Sequence, residues 1–134
     1  MLASKVLLWI CRLLIAVILL QTLFFKFSAA PESVFIFSRL GVEPWGRIVS
    51  GVLELIASIL VLIPPMSVYG ALLSAGIMAG AILSHVFVLG IEVQNDGGQL
   101  FIYAVIVLVA SIIILMKERK RFFRDSDSGF ARPR

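Results

Sequence analysis

The chain has 134 residues, of which 60% are hydrophobic and only 15% are charged. Its mean hydropathy is +1.07. This composition excludes an ordinary soluble domain, in which charged and turn residues are far more frequent. The net charge of +4 is unevenly distributed, because most of the basic residues lie from Lys117 onward. The length allows one compact unit and no second domain.

Four apolar stretches, at residues 6–27, 46–63, 68–91 and 98–116, make up most of the chain. A bilayer core about 30 Å thick needs roughly 20 apolar residues per helix, and each stretch is close to that length. The sequence therefore predicts an all-α polytopic membrane protein, a four-transmembrane-helix bundle over residues 1–116. A cleaved signal peptide is the weaker interpretation of the first stretch, because Arg12 interrupts it and Pro31 would follow the cut.

The basic tail at residues 117–134 indicates the orientation. Basic residues beside a span are typical of the cytoplasmic side, and Lys5 at the other terminus agrees. Both termini are therefore expected in the cytoplasm, with residues 28–45 and 92–97 as outer loops. The tail is expected to contact anionic lipid rather than nucleic acid.

The first outer loop contains an apolar run at residues 34–37. This run predicts a short helix that lies on the outer face and caps whatever is beneath it. The second outer loop contains the segment 95–98, whose Asn-Asp-Gly-Gly composition is typical of a turn. Together with Glu92 it has the residue types of a cation site, but a solvated turn is the favoured interpretation.

One hydrogen-bonding side chain from each span falls at nearly the same depth: Gln21, Glu54, His85 and Tyr103. At about 1.5 Å per residue, these depths agree within one helical turn, and Lys26 lies just above them. Since lipid offers such groups no partner, all four should point into the bundle. Three interpretations remain open for this layer: a ligand or proton site, a structural lock, and, least favoured, a metal site.

Arg12 lies deeper in the first span, and a charge at membrane depth needs a counter-charge. Glu54 is the only carboxylate well inside a span, so the sequence predicts that Arg12 and Glu54 are coupled. Burial tunes the pKa of a carboxyl group or an imidazole, so Glu54 and His85 are also candidates for acid–base catalysis. The His85 ring is expected within hydrogen-bond reach of Glu54 or Tyr103, directly or through one water.

Small residues recur every four positions in the third span, at Ala71, Ala75 and Ala79 and at Gly76 and Gly80. This spacing lets helix backbones approach closely. It favours packing within the bundle, with a homodimer interface as the alternative.

The single cysteine, Cys11, and the single histidine, His85, restrict the chemistry. One chain forms neither a dithiol relay nor a bis-histidine haem site. No metal site is predicted, since catalytic zinc needs three protein ligands. The sequence also lacks a prosthetic-group motif, which argues against autonomous electron transfer.

The order of these residues resembles the DoxX-like family of small bacterial membrane proteins. The resemblance rests on Arg12 and Lys26 in the first span, Gly51 and Glu54-Leu55 in the second, and Met78 and His85 in the third. The segments 21–27, 30–34, 43–47, 51–57 and 90–93 resemble one bacterial branch of that family.

The resemblance implies a multi-pass protein of the bacterial inner membrane. Its members are associated with oxidoreductase complexes, so it implies an accessory or anchoring subunit of a redox system. A quinone is the candidate cofactor, held by a site drawn from Arg12, Gln21, Lys26, Glu54, His85 and Tyr103. A stand-alone enzyme using Glu54 and His85, and a structural or carrier bundle, are the alternatives. The expected partners are the bilayer, a redox-enzyme subunit and a second copy of the chain.

Overall fold

The structure is a computed structural model that describes residues 2–94 and 96–130, with the backbone alone described from residue 119 onward. Five α-helices follow one another along the chain. They are α1 (Leu2–Phe27), α2 (Pro31–Arg39), α3 (Trp45–Leu62), α4 (Ser67–Ser84) and α5 (Gln99–Phe130). A 3₁₀ turn, Pro64–Met66, precedes α4, and a π-helical turn, His85–Leu89, extends it.

Among the described residues, four segments are long and apolar enough to cross a membrane: Leu2–Phe27, Trp45–Leu62, Pro64–Leu89 and Gln99–Glu118. They confirm the predicted all-α, four-helix transmembrane architecture, with boundaries a few residues from those expected. Successive spans run in opposite directions, because short connections join them. Helices α1 and α4 each pack mainly against α3 and α5. We call the end that carries α2 and the loop at residues 90–98 the lid end, and the opposite end, with Pro64–Met66, the basal end.

The helix interfaces are filled by aliphatic residues, as the bundle arrangement requires. Ile15, Ala57, Val61, Val107 and Ile114 are completely buried at these interfaces. Large apolar side chains cover the outside instead, among them Val17, Phe24, Leu72, Phe87 and Ile102. A surface this apolar suits hydrocarbon rather than water, so the bundle exposes its apolar side chains to lipid.

The predicted close packing of small residues in the third span is correct at its basal end only. A Cβ atom on Gly70 would lie 2.5 Å from the backbone nitrogen of Val61, so α3 and α4 cross there backbone to backbone. Ala71 is also fully buried. Farther along α4, Gly76, Ala79 and Gly80 are exposed, and a Cβ atom on either glycine would meet nothing within 4 Å. This face of α4 is therefore not packed against another helix at that level.

The lid end is covered by α2, which confirms the short helix expected from the apolar run. Pro31 occupies its first turn, where the missing N–H of proline costs nothing. The helix presents Ser33, Ile36 and Phe37 to the space between the spans. Helix α2 is therefore positioned as a lid over the bundle.

Candidate functional site

A cavity of about 580 Å³ lies beneath α2, between the four spans. Every span contributes to its wall: Thr22 from α1, Glu54 from α3, Met78 from α4 and Leu100 from α5. Most of the surface that lines it is apolar, but about half of its lining residues are polar or charged. A concave wall that combines apolar surface with convergent polar groups is typical of sites for small organic molecules.

The sequence analysis placed Gln21, Glu54, His85 and Tyr103 at a common level, with Lys26 just above them, and all five line this cavity. Four spans therefore converge on one site, as the depth estimate predicted. Gln21 is exposed at the rim and Tyr103 is half-buried, whereas Glu54 and His85 are buried.

The innermost polar group of the cavity is the carboxylate of Glu54, which is only 2% exposed. Lys26 forms a salt bridge with Glu54 Oε1 and donates to Ser50 Oγ at 3.3 Å. The Thr22 hydroxyl lies 3.1 Å from Glu54 Oε2 and 2.7 Å from the Leu19 carbonyl oxygen, so its one proton is shared between these two acceptors. The two oxygens of Glu54 therefore contact separate partners, Lys26 and Thr22.

Lys26 is itself held in place by the end of α3. Arg47 donates to the backbone carbonyl of Lys26 through Nη1 and pairs with Glu43 through Nε at 2.9 Å. The Lys26 ammonium also lies 5.9 Å from the ring centre of Phe37 on α2. This contact connects the ion pair to the lid, since a cation near an aromatic face is attracted to it.

His85 is buried at the start of the π-helical turn, and its Nδ1 lies 3.0 Å from the carbonyl oxygen of Gly90. Gly90 has a φ of +83°, a conformation that glycine adopts without strain. The ring also packs edge-on against Phe101, with the ring centres 5.8 Å apart. The structure thus gives His85 a different partner from the predicted Glu54 or Tyr103, because the chain turns back at Gly90 and brings a carbonyl to the ring.

Tyr103 is bonded along its own helix. Gln99 Nε2 donates to the Tyr103 hydroxyl oxygen at 2.7 Å. Both side chains line the cavity. The pair forms one polar edge of the site, on the α5 side.

Asp96 organises the loop that borders the cavity between α4 and α5. Its carboxylate accepts hydrogen bonds from the backbone N–H groups of Val93, Gly98 and Leu100. Desolvation alone would raise the pKa of Asp96, but these bonds and the nearby His85 outweigh it and lower the pKa below the usual 3.8. The loop is therefore closed by one of its own side chains.

Arg12 does not line the cavity, and the predicted Arg12–Glu54 pair is wrong. Arg12 lies toward the basal end, where Nη2 is 2.6 Å from Glu118 Oε1 and Nε donates to Ser67 Oγ at 2.9 Å. The Trp9 ring lies 4.9 Å from the guanidinium carbon. The physical reason is that α5 continues beyond Met116, so Glu118 supplies a nearer carboxylate than Glu54, which Lys26 already occupies.

Sequence reasoning missed Thr22, Ser33 and Ser50, which also line the cavity. Serine and threonine hydroxyls are common in membrane helices, where they bond to their own backbone, and so give little signal. Thr22 does bond in this way, to the Leu19 carbonyl. The spacing of Thr22 and Lys26, four residues apart on one helix face, was the signal available for that residue. Within the described residues, no group of three or more His, Cys, Asp or Glu side chains is arranged to hold a metal ion.

These features define the class of the protein: a four-span membrane bundle with a lidded, mostly apolar cavity at one end. The model of the DoxX-like family matches residues 10–114, so the chain belongs to the DoxX-like family. The matched region includes Arg12, Lys26, Glu54, His85 and Tyr103. Comparison with curated proteins gives no significant match, and comparison with solved structures gives none either.

Proposed function

We propose that the cavity binds a lipid-soluble small molecule with a polar head group, of the quinone class, in the service of a membrane redox system. The observation that carries this proposal is the cavity itself: about 580 Å³ of space between four spans, with a polar group from each. A bundle that needed only to lock its helices together would gain nothing from that space, since interiors normally pack without it.

The distribution of polarity supports an amphipathic ligand. Aliphatic and aromatic side chains, including Phe25 and Leu89, form much of the wall. Hydrogen-bonding groups lie at Glu54, His85 and Tyr103. Further polar or charged residues also line the cavity: Gln21, Thr22, Lys26, Glu32, Ser33, Ser50, Ser84, Gln94, Asp96 and Gln99. A ring or chain would lie against the apolar wall, while its oxygen atoms would meet the polar groups.

Native mass spectrometry of the protein released from a mild detergent tests the proposal. A bound molecule is expected on the wild-type chain, together with a count of subunits. Gly80→Leu should abolish that adduct, because Gly80 lines the cavity and its missing side chain leaves space there. Gly76→Leu is the matched control, since Gly76 is also open but lies outside this cavity. An adduct that survives Gly80→Leu would show that the molecule binds elsewhere.

A stand-alone enzyme that uses Glu54 and His85 as acid and base is less well supported. The Glu54 carboxylate is engaged by Lys26 and Thr22, and the described contacts of His85 do not include Glu54. Turnover of a lipophilic substrate by the isolated protein, lost in Glu54→Gln, would establish this alternative.

A purely structural role is the remaining alternative, because the Lys26–Glu54 pair joins α1 to α3 and is satisfied by protein groups. It predicts that native mass spectrometry finds no adduct on the wild-type chain. The accessory role in a redox complex is tested by cross-linking in native membranes, which should link this chain to an oxidoreductase subunit or to a second copy.

We further propose that both termini face the cytoplasm of a bacterial cell and that the lid end faces outward. The basic tail and Lys5 support this orientation by the positive-inside rule. A membrane-impermeant thiol reagent should label Glu32→Cys or Gln94→Cys from outside and should not label Ser126→Cys. Cys11 is buried and gives little background. Labelling of Ser126→Cys from outside would invert the orientation.

A further inference from the structure

A second space, which we call the lateral groove, lies between α3 and α4 on the lipid-facing side of the bundle. It has a volume of about 550 Å³ and is lined by one residue of α3 and five of α4: Leu53, Tyr69, Leu72, Leu73, Gly76 and Ile77. Leu53, Tyr69 and Leu72 are exposed on the outer surface. Apart from Tyr69, the lining is apolar, so it suits a hydrocarbon chain, whereas a polar head group would lose its hydration there.

The lateral groove and the cavity adjoin along one face of α4. Ile77 lines both spaces. Gly76 lines the groove and Gly80 lines the cavity, and residues four apart lie on the same helix face, about 6 Å from each other along the axis. A Cβ atom on either glycine would meet nothing within 4 Å, so this face of α4 is open at both positions. On α3, Leu53 lines the groove and the next residue, Glu54, lines the cavity.

The other boundaries of the cavity suit the passage of a hydrocarbon chain less well. The lid end is covered by α2 and by the loop that follows α4. The Lys26–Glu54 ion pair joins α1 to α3. His85 packs edge-on against Phe101 of α5. Between α1 and α5, the polar side chain of Gln21 is exposed at the rim. The apolar route from the bilayer to the cavity therefore runs between α3 and α4.

The order of the two spaces matches the orientation of an amphipathic molecule in a bilayer. The cavity lies toward the lid end, and the lateral groove continues in the basal direction, so that Gly80 and Tyr69 are about 17 Å apart along α4. An amphipathic molecule in the lid-end leaflet has its head near the membrane surface and its tail toward the bilayer centre. Such a molecule would enter the two spaces without turning over.

From the shared wall and this order we infer that the ligand has a hydrocarbon tail, which lies in the lateral groove while the polar head occupies the cavity. The ligand enters laterally from the bilayer, between α3 and α4. A ligand without a tail would leave the groove to bulk lipid. This inference rests on the proposed function and adds to it a feature of the ligand and a route of entry.

Two photoreactive probes test this inference on the full chain in lipid nanodiscs. Both are para-benzoquinones with the same undecyl tail; one carries a diazirine beside the ring and the other carries it at the end of the tail. Peptide mass spectrometry locates the labelled residues, and an excess of the unreactive quinone identifies saturable labelling. The ring-end probe should label cavity residues such as Thr22 and Ser50, and the tail-end probe should label groove residues such as Leu53 and Leu72.

A pair of leucine substitutions on α4 tests the position of the tail. Gly76→Leu places a side chain in the lateral groove, so saturable tail-end labelling of Leu53 and Leu72 should be lost. Ring-end labelling should persist, because Gly76 lies outside the cavity and the head still binds. Ala79→Leu is the matched control, since Ala79 is exposed and lines neither space, and it should leave both labelling patterns unchanged. Thermal unfolding shows whether each variant is folded.

The outcomes separate this inference from the proposal on which it rests. If neither probe gives saturable labelling of the wild-type chain, the proposed function itself fails. Ring-end labelling of the cavity, combined with tail-end labelling beside Gln21 and Phe25, would place the tail between α1 and α5 and overturn this inference alone. Tail-end labelling of the groove that survives in folded Gly76→Leu would also overturn it. A dimer that Gly76→Leu dissociates, with no tail-end labelling of the groove, would assign the groove to a second copy of the chain.

Discussion

Each end of the bundle contains a buried ion pair, and the surroundings of the two pairs differ. At the basal end, the side chains of Arg12 and Glu118 are 5% and 8% exposed and lie where the helices pack closely. At the lid end, the side chains of Lys26 and Glu54 are 14% and 3% exposed and border an open cavity. The two ion pairs therefore differ in access. The packed helices at the basal end leave no room for another molecule beside the Arg12–Glu118 pair, whereas the cavity at the lid end gives a small molecule access to the Lys26–Glu54 pair.

The largest expected effect comes from the basal pair. Arg12→Ala and Glu118→Ala should each destabilise the protein in detergent by about 3–5 kcal/mol, because each leaves a buried charge without its partner. The double variant should cost less than the sum of the two. Thermal or denaturant unfolding of all four proteins measures the coupling.

In the control cycle, Arg12→Ala is combined with Glu54→Gln instead of with Glu118→Ala. Arg12 and Glu54 have separate partners, so their effects should add within about 0.5 kcal/mol. Strong coupling between Arg12 and Glu54, with none between Arg12 and Glu118, would contradict the arrangement described above.

A second prediction compares the packing of the two ends along α4. Gly70→Ala should cost about 1–3 kcal/mol or more, because its new methyl group would overlap the backbone of α3 near Val61. Gly80→Ala on the same helix should be neutral or slightly stabilising, since it enters open space and alanine favours the helix. Equal losses from both changes would show that the cavity is packed as tightly as the basal end.

The lid-end pair should be less sensitive than the basal pair. Lys26→Met leaves Glu54 unpaired, but the adjoining cavity admits water to the carboxylate, so a loss of about 1–3 kcal/mol is expected. Adding Glu54→Gln to Lys26→Met should restore most of that loss, because the buried charge is then gone. Unfolding midpoints measure both steps, and a double variant as unstable as Lys26→Met alone would refute the explanation.

The smallest effect concerns the loop that borders the cavity. The folded-state pKa of Asp96 is lowered, so its contribution to loop stability is present above a pH of about 3.8 and is lost as the pH falls through the folded-state pKa. The amides of Val93, Gly98 and Leu100 should be better protected from hydrogen exchange at neutral pH than in acid, relative to intrinsic rates.

Asp96→Asn should lose most of this pH dependence. Glu92→Gln is the control, because the Glu92 carboxylate is 3.4 Å from the Gly97 nitrogen and bonds to that group alone among the described contacts. A pH dependence that is abolished by Glu92→Gln and retained in Asp96→Asn would place the titrating group on Glu92.

The sequence by itself determined the class of the protein and the depth of the site along the helices. Four apolar stretches of bilayer length leave no fold but a helical bundle, since the backbone must bond within each segment in lipid. The depths of Gln21, Glu54, His85 and Tyr103 followed from the rise of 1.5 Å per residue, which needs no tertiary information. The lid helix α2 was also predictable from the sequence, because the apolar run at residues 34–37 is a local pattern that needs no tertiary information.

The tertiary structure alone decided which charges pair and which small residues pack. Depth along a helix does not give direction around it, so Arg12 was assigned to Glu54 although Glu118 and Lys26 supply the nearer partners. The small residues of the third span, from Ala71 to Gly80, were predicted to pack together, yet Ala71 is fully buried and Gly80 lies open at the cavity. The partner of His85 depends on a turn at Gly90 that brings a carbonyl to the ring. Ion pairs, packing and cavity depend on distances between helices, and those distances arise only when all four spans pack together.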